Sequence, residues 1–239
     1  QIIKFIKANQ FDMILLSDYN KGMLTNELVE AIKKLNIPII VDPKPINMKL
    51  FNKVFAIAPN LKEAKEITNS NTTPTEISKL IAEEYNTHVI ITQGPNGTSS
   101  YNKNTKEYNH LPTKAREVYD VSGAGDTFIA TLTLALASKA ELYEATQLAN
   151  QAAGVVVGKF GTATLTLEEL KSSFNGKHSK VKTREELLQI VKKLKSEGKK
   201  IITTNGIYDI LHIGHTQLLN TAKSFGDILI LAINTDAST

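Results

Sequence analysis

Short apolar runs separated by helical periods open the chain. QIIKFIKANQFDMILLSDY reads as the middle of a helix running into a strand. The alternation continues with DMILLS (12–17), a helical period near 25–35, IPIIV (37–41), VFAIA (54–58), a helical period near 75–85 and HVIIT (88–92). Apolar runs of this length, bounded by turn residues and spaced by helices, predict βαβ units and a parallel sheet covered on both faces. GTSSYNKNTKEYNH (97–110) breaks the pattern: it alternates and turns at Asn102 to Thr105, which predicts a hairpin. Two long helical periods follow, 124–138 and 141–159, the first mixing small residues with leucines as close packing on a sheet requires.

SFNGKHSKVK (173–182) is polar and unpatterned and reads as a linker between a first domain, 1–172, and a second, 183–239. The second opens with TREELLQIVKKLKSEG. Thr183 and Glu186 have capping-box spacing, Leu187, Ile190, Val191 and Leu194 form one apolar stripe, and Gly198 stands where a helix C-terminus favours a left-handed residue. The strand KIITT then starts a new α/β unit. An opening without methionine and a close on LILAINTDAST, a strand with nothing after it, set the expectation of an internal piece of a longer protein.

Composition narrows the classes. With 41% hydrophobic and 22% charged residues the chain reads as globular, and no apolar run is long enough to cross a bilayer. The net charge of +4 comes from lysines spread over helix faces, as in IVKKLKSEGKK, which argues for a solvated surface over a nucleic-acid partner. The absence of cysteine excludes disulfides and thiolate metal sites and fits a cytoplasmic setting.

Chemistry concentrates in four stretches. In DVSGAGD, Gly123, Ala124 and Gly125 let backbone N–H groups converge at the start of a helix, where the macrodipole favours a phosphate or a developing oxyanion. Asp126 then stands where it can take a proton from a hydroxyl; the plain alternative is a glycine turn. In APNLKEAKEI, Asn60 and Glu63 lie three apart just past a strand, placed either to order a hydrated magnesium ion or to close a capping box. ITQGPNGTSSY sets Thr92, Gly94 and Gly97 at the end of a buried strand, the edge where open α/β sheets bind ligands; its plain alternative is a hairpin approach. Further on, TTNGIYDILHIGH carries His212 and His215 at a helix start, suited to holding phosphate oxygens around a pentavalent phosphorus. Metal ligation is the weaker rival there, since no third ligand is apparent.

The ordered set PNxxE (59–63), TxGxxG (92–97), DxxGAGDTF (120–128) and LANQAAGVVVGKFGT (148–162) resembles the ribokinase-like, PfkB-type sugar kinases. The resemblance implies Asp126 as base and residues 123–126 as anion hole. It also implies that Asn60, Leu61, Lys62 and Glu63 belong to the magnesium and ATP network, that Thr92, Gly94 and Gly97 line the nucleotide, and that Asn150 lies near the adenine. SDYNKG (17–22) and DPK (42–44) resemble the heptose-phosphate kinase variant, with Lys21 and Lys44 as candidate phosphate contacts. TNGxxDxxHxGH with INTDAST resembles the cytidylyltransferase-like nucleotidyltransferases, implying Asn205, Gly206, Asp209 and Gly214 as nucleotide-binding residues; Tyr208 and Ile213 depart from the Phe and the small residue common there. Together the two resemble the bifunctional enzymes that phosphorylate heptose 7-phosphate and adenylylate heptose 1-phosphate for lipopolysaccharide-core precursors. The resemblance implies a homodimer using sugar phosphate, ATP and Mg2+. The implied fold is the C-terminal part of a ribokinase-like α/β domain followed by the start of a Rossmann-like nucleotidyltransferase domain. A kinase for another sugar fused to a cytidylyltransferase, and a truncated non-catalytic module, stay open, because HxGH does not choose between ATP and CTP.

Overall fold

In a strand successive side chains point to opposite faces, and the apolar runs of this chain are long enough to fill both. The computed structural model describes residues 1–113, 123–159, 164–174, 182–206, 208 and 212–233. The chain folds into two units, Gln1–Lys177 and His178–Thr239.

In the first unit, α1 (Ile2–Ala8), β1 (Ile14–Ser17), α2 (Asn26–Lys33), β2 (Ile39–Asp42), β3 (Ala56–Ile57), α3 (Leu61–Thr68), α4 (Pro74–Tyr85) and β4 (His88–Thr92) follow in order, with a 3-10 segment at Pro45–Phe51. Strands β1 to β4 are parallel neighbours, with Ser17 opposite Asp42 and Ile57 opposite Val89. β5 (Thr98–Tyr101) and β6 (Tyr108–Leu111) extend the sheet antiparallel, the hairpin expected from the sequence. Period-two alternation sorts the core. Ile39, Val41, Ile57, Val89 and Ile91 pack with α2 to α4, whereas Ile40, Ala56, Ala58 and Ile90 pack with α5 (Ala124–Ala137) and α6 (Leu142–Val157). Leu132, fully buried on α5, contributes about 1.5–3 kcal/mol by leaving water. Of the small residues of α5, Ala135 is buried in this cluster, whereas Gly125 and Ala130 are exposed.

Helix starts are specified locally. Thr73 with Glu76 and Thr183 with Glu186 form capping boxes, each cap worth about 1 kcal/mol. α7 (Leu167–Phe174) carries the first unit to Phe174, so the first two residues of the stretch read as a linker are helical: the buried Ser173 accepts a hydrogen bond from Gln151 on its carbonyl, and that packing overrides the polar composition. In the second unit α8 (Arg184–Ser196) turns its apolar stripe inward at Leu194 and ends before Gly198, whose φ of 71° is left-handed. β7 (Ile201–Gly206), α9 (Ile213–Ser224) and β8 (Ile228–Ile233) form a parallel βαβ unit.

Candidate active sites

Strands β1 to β4 all end on one edge, and the residues just past their C-termini converge there. Asp18, after β1, is 4% exposed. Its Oδ1 accepts from the Asn20 N–H at 2.8 Å, and its Oδ2 accepts from the Lys44 N–H at 3.2 Å and from Asn47 Nδ2 at 3.0 Å. These three bonds satisfy the buried charge and tie the SDYNKG turn to the DPK loop. Lys21 lies on that turn, exposed, between Asn20 and Gly22, both in left-handed conformation.

Asn60 caps α3, accepting from the Glu63 N–H at 2.9 Å, while Glu63 Oε2 accepts from the Asn60 N–H at 3.0 Å. The capping box therefore forms, and it leaves Glu63 Oε1 free to accept from Lys44 Nζ at 2.6 Å. That hydrogen bond holds the Lys44 ammonium above the usual lysine range. Asp42 sits among these groups, half-buried and without a side-chain hydrogen bond among the described residues. Burial, then the Glu63 charge, and after it Asp126 and Asp18, push its carboxyl up to about 6 against the opposing pull of Lys44. Asp126, in the first turn of α5, thus bears on the same spot as Glu63 and Lys44.

Gly123 caps α5 with φ 77°, a backbone that other residues adopt only under strain. Gly125 differs. A Cβ built there meets nothing within 4 Å among the described residues, so packing does not demand a glycine. Ala124 completes the opening turn, and Asp126 is exposed beside it.

The remaining first-unit candidates form a second group. Thr92 is bridged to Asn60 and donates its N–H to the Pro59 carbonyl at 3.1 Å. Gly94 and Gly97 (φ 57° and 90°) turn β4 into β5, so the TxGxxG stretch is the hairpin turn itself. A Cβ on Gly97 would lie 2.0 Å from the Leu111 carbonyl oxygen. Asn150 on α6 accepts from Thr98 Oγ1 at 3.1 Å and donates to the Pro112 carbonyl at 3.1 Å, which sets it next to Gly97. Leu61 packs into the core and Lys62 is exposed.

In the second unit His212 caps α9 and His215 sits in its first turn. Their rings stack at 3.9 Å, and Tyr208 meets His215 edge-on at 4.9 Å. Gly206, ending β7 after Asn205, leaves room for the Tyr208 ring, 2.9 Å from a built Cβ, and Gly214 does the same for His212 at 3.0 Å. His215 Nδ1 is buried without a hydrogen-bond partner among the described residues, which suits a group that meets a ligand. Asp209 and Asp120 lie outside the described residues.

Sequence reasoning missed Asp18 and Asp42. The available signal was a carboxylate at the C-terminal end of two adjacent parallel strands, each two or three residues before a lysine.

Among the described residues no group of three or more His, Asp or Glu could grip a metal ion directly. Asp42, which has no side-chain hydrogen bond among the described residues and feels the charges of Glu63 and Asp126, suits a cation that keeps its own waters and needs few direct ligands.

A mixed sheet sandwiched by helices, with its polar groups at the parallel strands' C-terminal edge, defines a ribokinase-like α/β domain, here followed by a Rossmann-like unit. The chain belongs to the pfkB family of carbohydrate kinases, which residues 2–170 match, and residues 203–239 match the cytidylyltransferase-like family. The fold is similar to that of ribokinase from Thermotoga maritima, with TM-score 0.60 and 26% identity over 69% of this chain and 57% of that one. It is also similar to that of phosphofructokinase-2 from Escherichia coli, with TM-score 0.65 and 18% identity over 73% and 60%. Over its whole length the chain is 40% identical to the bifunctional protein HldE of Aliarcobacter butzleri, covering 53% of that protein. It is 42% identical over 97% of its length to HldE of Campylobacter jejuni subsp. doylei, covering 51%. The chain thus spans about half the length of the curated relatives it matches.

Proposed function

We propose that the chain belongs to a bifunctional enzyme of ADP-heptose synthesis. Its first unit transfers the γ-phosphoryl group of ATP to the anomeric hydroxyl of heptose 7-phosphate. Its second joins AMP from ATP to heptose 1-phosphate and releases pyrophosphate. The observation that carries the kinase reading is Gly125: it stands in the first turn of α5, packing among the described residues does not require a glycine there, and it keeps the space beside Asp126 clear.

In the kinase step the substrate hydroxyl oxygen attacks the γ-phosphorus as its proton passes to the Asp126 carboxylate, and ADP leaves. The backbone N–H groups of residues 123–126 hold the charge gathering on the phosphoryl oxygens. Asn60 and Glu63 would hold a hydrated magnesium ion, which would supply positive charge against that of the nucleotide phosphates. Thr92, Gly94, Gly97 and Asn150 line the nucleoside side, and Lys21 and Lys44 meet the sugar phosphate. In the second unit a phosphate oxygen of heptose 1-phosphate attacks the α-phosphorus of ATP. His212 and His215 stabilise the pentavalent centre, and Asn205, Gly206, Asp209 and Gly214 serve as nucleotide-binding residues. We place the enzyme in the cytoplasm, a setting that its lack of cysteine fits, and as a homodimer.

The test is nucleotide turnover by the full-length polypeptide. With heptose 1-phosphate, pyrophosphate release is expected from ATP and not from CTP; preference for CTP would replace adenylyl by cytidylyl transfer. His215→Ala is expected to abolish this release while phosphorylation of heptose 7-phosphate stays near wild type. Loss of both activities in a folded variant would refute separate sites.

A further inference from the structure

Lys44 is held in two different ways. Its backbone is pinned: the N–H donates to Asp18, a carboxylate that is 4% exposed and also holds Asn20 and Asn47. Its side chain is 41% exposed and reaches back over Glu63, whose side chain is 12% exposed. A lysine rooted this way can move its ammonium several ångströms by rotating a four-carbon stem while the backbone stays still. Glu63 does not depend on it for position, because its other oxygen remains bonded to the Asn60 N–H. Lys44 therefore serves as a counter-ion to the carboxylates of Glu63, Asp42 and Asp18, and its pairing with Glu63 is exchangeable. If the ammonium left with no cation in its place, Asp42 and Glu63 would face each other unscreened, a cost already visible in the raised Asp42 carboxyl. A divalent cation arriving with a nucleotide supplies the replacement charge.

We propose that Lys44 is a switching counter-ion: it pairs with Glu63 in the unliganded site and transfers to the phosphate of the acceptor sugar as the magnesium–nucleotide complex takes up the Glu63 side. Asp18 is the positioning residue that fixes the root of this swing. The inference rests on the kinase reading above. Its consequence is energetic coupling between the two substrates. A phosphate that draws Lys44 away exposes Glu63 to the metal–nucleotide complex, and by linkage each ligand tightens the other by the same factor.

Calorimetric titration of the full-length polypeptide with magnesium and a non-hydrolysable ATP analogue, with and without heptose 7-phosphate, tests this. In the wild type the sugar phosphate is expected to tighten analogue binding by about fivefold or more. In Lys44→Met the factor is expected to fall to about one, and the analogue alone is expected to bind more tightly than to the wild type, because Glu63 is already vacant. Asp18→Asn turns an amide donor toward the Lys44 N–H or the Asn20 N–H; in a variant that melts cooperatively, its coupling should fall between these two. Wild-type coupling in Lys44→Met, or weaker binding of the analogue alone to that variant, would overturn the switch. Unchanged coupling in folded Asp18→Asn would remove Asp18 from it. Analogue binding to the wild type without any coupling defeats the switch alone, whereas no binding of the magnesium analogue at all defeats the kinase reading with it.

Discussion

Two glycine turns belong to the first unit's motifs, and the structure explains them differently. The turn after β4 is a piece of architecture. Gly97 has φ 90°, and a side chain there would run into the Leu111 carbonyl and the Thr113 N–H. Asn150 then closes the turn against Thr98 and Pro112. The turn opening α5 has only half of such a reason: Gly123 needs its backbone angle, while at Gly125 no described residue stands where a side chain would begin. A motif glycine that packing demands says little about ligands. One that packing leaves unexplained, in a helix first turn beside an exposed carboxylate, points to chemistry.

The largest expected effect tests the chemical side of this contrast. Asp126→Asn should lower the kinase rate by about two to four orders of magnitude, the usual worth of a general base, with nucleotide affinity retained. Steady-state kinetics beside a binding titration checks it; an equal loss of affinity at unchanged turnover would make Asp126 a binding residue. Gly97→Ala should cost about 3 kcal/mol or more of stability from overlap and strained backbone together, read as a lowered denaturation midpoint. Gly125→Ala should leave stability equal or raised by up to about 1 kcal/mol and sharply reduce kinase activity. An active Gly125→Ala enzyme would return the α5 turn to architecture.

The smallest effect concerns the cost of gathering carboxylates at this edge. Because the Asp42 carboxyl is raised to about 6 by burial and then by Glu63, the folded state binds its proton more tightly than the unfolded chain. Stability from this group is therefore greatest at low pH and declines as pH rises through about 4 to 6. Asp42→Asn should stabilise the protein by roughly 1 kcal/mol at pH 7.5, allowing for solvent screening, and by almost nothing near pH 4. His88, at the other end of β4, contributes in the opposite sense. Burial, then Lys103, lowers its imidazole to about 4, so its share of stability is lost as pH falls below about 6.5. Thermal melts of Asp42→Asn and of the wild type at the two pH values separate the contributions.

How much was legible follows from the range of each interaction. Four parallel strands, the hairpin at Asn102 to Thr105, the long helices and the caps at Thr183 and Gly198 were readable because period-two and period-3.6 patterns and contacts three residues apart are written within a short window. The candidate residues were readable as motifs for the same reason, and PNLKE also displayed the capping box that formed. What the sequence alone determined is therefore local: element type, helix ends, and which residue kinds stand at strand and helix termini. Tertiary structure alone decided that Lys44 meets Glu63 across 19 residues and that Asp18 holds Lys44 across 26. It also decided that Asp42 bears a cost from three other carboxylates. Those pairings depend on which strands become neighbours and in what register, and no local period encodes that. The same distinction separates Gly97 from Gly125: both are glycines in a turn on the page of letters, and only the position of the Leu111 carbonyl tells them apart.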